Sequence, residues 1–203
     1  SLVRDALGGR HEAVAESLPF SGGAIGYAGY GLSSYLAGLP HVSPDAGMPD
    51  MCFGIYDWAL VVDHEDRQSW LVGRDAGCMN SRQWNELIAL FSSYQVVPEG
   101  QPFRVSGDIL PNLTQQQYAV AFEQIRGYIH EGDCYQANFA QRFSASCQGD
   151  PWQAYIKLRE LNPSPYAAYL NTPFGQILSS SPERFLRVQE RQVETRPIKG
   201  TRP

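Results

Sequence analysis

Two short segments near the end of the chain carry side chains able to do covalent chemistry. One is "SPERF" (181–185), with Glu183; the other is "TRPIKGT" (195–201), with Lys199. A carboxyl group can give or take a proton at a reacting bond, and an amine without its proton is a nucleophile. Lysine is an ammonium ion at neutral pH, but desolvation favours the neutral form and a neighbouring carboxylate can hold the displaced proton. Arginine could not do the same, because its guanidinium stays protonated. Read without chemistry, a lysine beside a glutamate is a surface ion pair worth less than about 1 kcal/mol.

Whether the two groups meet depends on the strands that carry them. "PYAAYL", "QILSSSPERFLRV" and "QVETRPI" read as a meander of antiparallel strands. A two-residue loop at Glu190-Arg191 pairs Val188 with Val193 and sets Glu183 opposite Ile198. A three-residue loop sets Glu183 opposite Lys199 itself. Cross-strand neighbours lie about 5 Å apart, so either register leaves the carboxylate within one residue of the amine. The valine match favours the first register, which in a regular strand turns Lys199 to the other face. Pro182 and Pro197 break that regularity.

Upstream, residues 1–18 are polar and aperiodic. "GGAIGYAGYGL" (22–32) lacks both G-x-G-x-x-G and G-K-[ST], so it reads as a strand with close backbone packing rather than a phosphate loop. "MCFGIYDWALVVD" (51–63), the turn "HEDRQ" and "SWLVG" (69–73) predict a hairpin. Trp84, Leu87, Ile88 and Phe91 recur at helical spacing. Residues 96–112 read as a loop and boundary. After them Thr114 and Gln117 form a capping box for a helix with Tyr118, Phe122, Ile125 and Ile129 on its apolar stripe, ended by Gly132. "YQANFAQRF" (135–143) alternates like a strand, with Gln136 and Asn138 on its polar face. Asp150-Pro151 opens a further helix. The class expected is α+β with much antiparallel sheet and no βαβ rhythm.

The totals narrow the function. With 203 residues there is room for one large or two small domains. Net charge is −5 with scattered basic residues, which argues against nucleic acid as a partner. No apolar run approaches a membrane span and no signal peptide opens the chain, which starts without methionine. Cys52, Cys78, Cys134 and Cys147 form no CxxC pair, and His11, His41, His64 and His130 are scattered. Free thiols point to the reducing cytoplasm.

"GDCYQANFAQRF" (132–143), "SPERF" and "TRPIKGT", in this order, resemble the chorismate-utilising enzymes, and among them the component I enzymes of the para-aminobenzoate branch toward folate. "GGAIGYAGY" and "MPDMCFGIYDWALVVDH" resemble the same family, so the likeness covers nearly all of 20–203. The resemblance implies an antiparallel two-sheet sandwich with outer helices, the anthranilate synthase component I-like fold, here incomplete. Residues 1–107 would be part of the N-terminal region and 108–203 the truncated start of the chorismate-binding region. It implies amination of chorismate at C4 to 4-amino-4-deoxychorismate, with ammonia from a glutamine amidotransferase partner and Mg²⁺ at the substrate carboxylate.

Carried over by motif, Lys199 would be the nucleophile at C2 of the ring and Glu183 the acid that protonates the departing 4-hydroxyl. Gly200 and Thr201 would shape the substrate pocket. The sister enzyme's motif usually reads P-I-A-G-T, and lysine in "PIKGT" is the para-directing form. "NPSPYAAY" (162–169) resembles part of a tryptophan pocket, carried by Pro165, Tyr166 and Ala167; a plain helix-to-strand turn fits the same residues. No metal ligand can be nominated, since the family's magnesium glutamates are expected downstream of Pro203, and the isolated chain is expected to be inactive. The competing readings are an anthranilate synthase, another chorismate-utilising enzyme such as a salicylate synthase, and a non-catalytic scaffold.

Overall fold

Among the described residues, each strand pairs antiparallel with the strand that precedes or follows it in sequence. A computed structural model of the chain describes residues 2–8, 18–38, 47–74, 79–93, 96, 98, 100–189 and 191–198. Five helices and ten strands are assigned among them, in five two-stranded ladders, an α+β architecture. They group into two units, 1–98 with 170–177 and 99–169 with 178–203.

In the first unit, β1 (Gly23–Ala28) pairs antiparallel with β2 (Met51–Tyr56), Gly23 opposite Tyr56 and Ala28 opposite Met51. The glycines of the sequence's aromatic stretch serve this pairing. A Cβ at Gly26 would collide with the Cys52 carbonyl and lie 2.7 Å from the Cα of Phe53. The Tyr27 phenol donates to the Pro49 carbonyl at 2.9 Å. Desolvation, with Cys52 and Asp50 nearby, holds its pKa above the usual tyrosine value, so it stays a donor. α1 (Leu2–Leu7) packs against both strands, in a stretch whose sequence shows no period. α2 (Leu32–Ala37) is a short helix ended by Gly38 in the left-handed region.

The expected hairpin is present with one change. The run 51–63 breaks at Asp57, and β3 (Trp58–Asp63) pairs with β4 (Gln68–Gly73) while β2 goes to β1. The turn is held by the Asp63 carboxylate, which accepts from the amides of Glu65 and Asp66. α3 (Ser81–Ser92) starts at a full capping box formed by Asn80 and Gln83. Its Trp84 ring closes over Gly73, and Phe91 meets Trp58 with ring centres 5.8 Å apart. The helical stripe read from the sequence therefore faces the β3–β4 hairpin.

The second unit carries two corrections. Residues 96–112, expected as a loop, contain β5 (Arg104–Pro111). Its glycine and its terminal proline concealed it: Gly107 takes φ +74° within an irregularity between Ser106 and Leu110, and pairing with β6 (Phe143–Gln148) resumes on either side. The alternating stretch 135–143 is not a ladder strand before Phe143. Side chains hold it instead. The Gln141 amide donates to the Leu113 carbonyl, and Arg142 N donates to Asn112 Oδ1. α4 (Gln115–Glu131) has the Thr114–Gln117 capping box and the Gly132 stop that the sequence predicts. Its stripe is not buried in this chain: Tyr118 meets Phe139 at 4.8 Å, while Phe122 and Ile129 are exposed.

Tyr155 is the one buried hydrophobic side chain among the described residues. It projects from α5 (Pro151–Leu161), whose Asp150 cap accepts from Trp152 N. Trp152, Tyr155 and Tyr169 form a three-ring cluster with centres 5.2–5.5 Å apart, and this seats α5 on β7 (Tyr166–Thr172). β7 returns through a tight turn to β8 (Gly175–Ser181), and the last ladder joins β9 (Arg187–Gln189) to β10 (Gln192–Glu194).

Apolar residues on β1, β2 and β5, including Ile25, Phe53, Ile55, Val105 and Ile109, stand open. Open strand faces and edges of this kind drive association. The 203-residue chain produced alone should bind an environment-sensitive hydrophobic dye and self-associate with rising concentration, read by light scattering. A monodisperse monomer without dye binding would contradict this.

Candidate active site

The register at the C-terminal ladder decides where Glu183 lies. β9 and β10 pair as Gln189 with Gln192, Val188 with Val193 and Arg187 with Glu194, the register of a two-residue turn. Continued past the ladder, it sets Glu183 opposite Ile198. The hydrogen bonds agree: the Ile198 amide donates to Glu183 Oε1 at 2.6 Å. The segment 182–186 between β8 and β9 lies outside the ladders, as does 195–198. The contact is thus made by the glutamate side chain on the neighbouring backbone and not by a regular pair of strands. One carboxylate oxygen is engaged by the amide, while the second can carry a proton.

Contacts on the other side fix the backbone around Glu183. Ser181 Oγ donates to the Glu183 carbonyl at 3.0 Å. Ser180 Oγ donates to the Asn162 carbonyl at 2.9 Å and bonds Ser164 Oγ at 3.1 Å, which ties the end of β8 to the turn between α5 and β7. Arg184 pairs with Glu194 at 3.2 Å and lies over the Tyr166 ring, 5.6 Å from its centre. Arg196 also contacts Glu194.

Of the residues predicted from sequence, Glu183 is brought to Ile198, one position before Lys199. Lys199, Gly200 and Thr201 themselves lie outside the described residues. Pro165 lines a cleft of about 680 Å³ with Ile156, Arg159, Glu160, Pro163 and Ser164. Tyr166 and Ala167 open β7, Tyr166 beneath Arg184 and Ala167 with its amide on the Ser164 carbonyl. Gln136 and Asn138 are exposed on the extended segment before β6. Sequence reasoning passed over Arg184, Glu194, Ser164 and Ser180. Their signal was present for the arginine, which stands inside "SPERF", but a backbone donor such as the Ile198 amide leaves no trace in residue type.

Among the described residues no three His, Cys, Asp or Glu side chains converge as a metal site. The donor set for Mg²⁺ does not fit here, and no step below passes through a metal. The described cysteines, Cys52, Cys134 and Cys147, are free thiols. No described helix is long and apolar enough to cross a membrane.

The described residues thus form an antiparallel α+β fold in which Glu183 of "SPERF" is held against Ile198. The profile of the chorismate binding enzymes matches residues 2–203, and the chain belongs to that family. Its relatives include aminodeoxychorismate synthase component 1 of Escherichia coli (strain K12), 43% identical over 189 residues, covering 93% of this chain and 40% of that protein. The Bacillus subtilis (strain 168) protein of the same name is 35% identical over 194 residues, covering 90% and 40%. Anthranilate synthase component 1 of Thermus thermophilus is 36% identical over 188 residues, covering 91% and 40%. Among solved structures, anthranilate synthase component I from Streptococcus pneumoniae TIGR4 superposes with a TM-score of 0.78 at 27% identity, over 93% of this chain and 44% of that one. The chain spans about 40% of the length of these curated relatives.

The Ile198 amide gives a direct test in the full-length enzyme. Ile198→Ala keeps the donor, and Ile198→Pro removes it. If Glu183 takes part in the reaction, chorismate turnover should fall by at least about 10-fold more in the proline variant than in the alanine variant. Equal rates would show that the bond to Glu183 does not matter.

Proposed function

We propose that this chain carries the acid and the nucleophile of an enzyme that aminates chorismate at C4, giving 4-amino-4-deoxychorismate for para-aminobenzoate and folate synthesis. The observation that carries the reading is the 2.6 Å bond from the Ile198 amide to Glu183 Oε1. It brings the carboxyl group to the residue adjoining the lysine of "PIKGT".

In this scheme the uncharged Lys199 amine attacks C2 of the ring. The electron pair moves through the ring, the C4–O bond breaks, and Glu183 supplies the proton that lets the hydroxyl leave as water. Ammonia then bonds to C4, the electrons return, and the lysine departs from C2. The balance is chorismate plus ammonia giving the 4-amino product plus water. Glu183 Oε2 is the oxygen left for that proton, since Oε1 holds the amide. Gly200 and Thr201 follow the lysine and shape the pocket with backbone and hydroxyl donors. Mg²⁺, when bound, would neutralise the substrate carboxylate, with ligands from outside this chain. A glutamine amidotransferase component would supply the ammonia, and the reducing cytoplasm suits the free thiols.

Anthranilate synthases are also relatives, so the same scaffold supports amination at C2. Lys199 favours the para outcome: once bonded to C2 it occupies the carbon that the other branch aminates. The cleft at Pro165 is bordered by Arg159 and Glu160, whose charges complement the carboxylate and ammonium of an amino acid. L-Tryptophan is the occupant that the "NPSPY" resemblance implies, with Pro165, Tyr166 and Ala167 at its edge.

Product analysis of the complete enzyme with chorismate, Mg²⁺ and ammonium tests the assignment. The parent should yield the 4-amino product. Lys199→Ala should lose most of it, with residual amination moved toward C2. Unchanged para product in that variant would reduce Lys199 to a surface charge.

A further inference from the structure

Arg184 follows Glu183 directly, and its contacts have no part in the reaction scheme. Its side chain is largely buried, 21% exposed, against 71% for Arg196. Nη2 reaches Glu194 Oε1 at 3.2 Å, and the guanidinium carbon stands 5.6 Å over the centre of the Tyr166 ring. Nε is buried without a hydrogen-bond partner.

The segment it belongs to needs an anchor. Residues 182–186 run between the end of β8 and the start of β9 with no ladder of their own. Glu183 is therefore not held by strand pairing. Arg184 spans from this segment to Glu194, the last residue of β10 and the start of the path to Lys199, while its planar face rests on Tyr166 at the start of β7. We infer that Arg184 is a positioning residue for Glu183: by bridging Tyr166 and Glu194 it fixes the unpaired segment 182–186, and with it the carboxylate, against the strand that leads to Lys199. The role rests on Glu183 being the acid of the proposed reaction. Lysine in its place would keep the charge toward Glu194 but lose the planar face and the fork that define the position.

The test uses the full-length enzyme with ammonium as nitrogen donor. Arg184→Lys, Glu194→Gln and the double variant are compared with the parent for kcat, KM for chorismate and the unfolding midpoint. Each single variant should lower kcat by at least about 10-fold with KM for chorismate within about threefold, and Arg184→Lys should keep the parental midpoint. The double variant should be no slower than the slower single one, because both remove one bridge. A kcat within about twofold of the parent in Arg184→Lys, or a loss matched by the loss of folded protein, overturns the inference. Glu183→Gln, run alongside, separates the two levels. If it turns over at the parental rate, the acid assignment itself falls. If it is inactive while the Arg184 and Glu194 variants run normally, the positioning role alone falls.

Discussion

The site depends on the register of one short ladder. Val188 opposite Val193 fixes a two-residue turn, and that turn sends Glu183 toward Ile198 and not toward a residue farther along. Slipping a strand by one position would exchange every side chain between its two faces. Two valines and a three-pair ladder would be a weak lock on their own. Here the lock is reinforced where the ladder ends, by the amide bond to Glu183 and by the arginine pair on Glu194. The groups that strengthen the register are the groups nearest Glu183.

A second layer of support runs back into the helix-bearing part of the same unit. The ring cluster of Trp152, Tyr155 and Tyr169 holds α5 on β7, and Ser180 ties the end of β8 to the α5–β7 turn. The start of the "SPERF" segment is thus tied to the turn that follows the helix carrying Tyr155. Elsewhere apolar strand faces remain open. With Tyr155 as the one buried hydrophobic side chain among the described residues, a chain spanning about 40% of its relatives' length carries local structure more completely than it carries a closed core.

Local signals were legible in the sequence wherever a residue type has one mechanical use. The Thr114–Gln117 box, the Gly132 stop, the Asp150-Pro151 start and the Trp84 stripe all stand where the side chains dictate. Failures came where spacing imitates a different element. Residues 135–142 alternate yet form no ladder: the Gln141 side chain donates to the Leu113 carbonyl, and the Arg142 backbone amide donates to the Asn112 side chain while its carbonyl accepts from the Asn112 amide. β5 was hidden by Gly107 and Pro111, which read as loop residues but occupy an irregularity and a strand end. Residue types singled out Glu183 as a candidate. They could not disclose that its partner would be a backbone amide, nor that Arg184 would turn to Glu194 and Tyr166.

The central proposal is that Lys199, which follows Ile198 in sequence, forms a bond to the substrate. Mass spectrometry of the full-length enzyme incubated with chorismate and Mg²⁺, without ammonia, tests it most directly. The account predicts a protein heavier by chorismate less one water, with the added mass on the peptide that contains Lys199, and its absence in Lys199→Ala. An enzyme that makes the 4-amino product yet never carries that mass, or carries it equally without the lysine, would contradict the account.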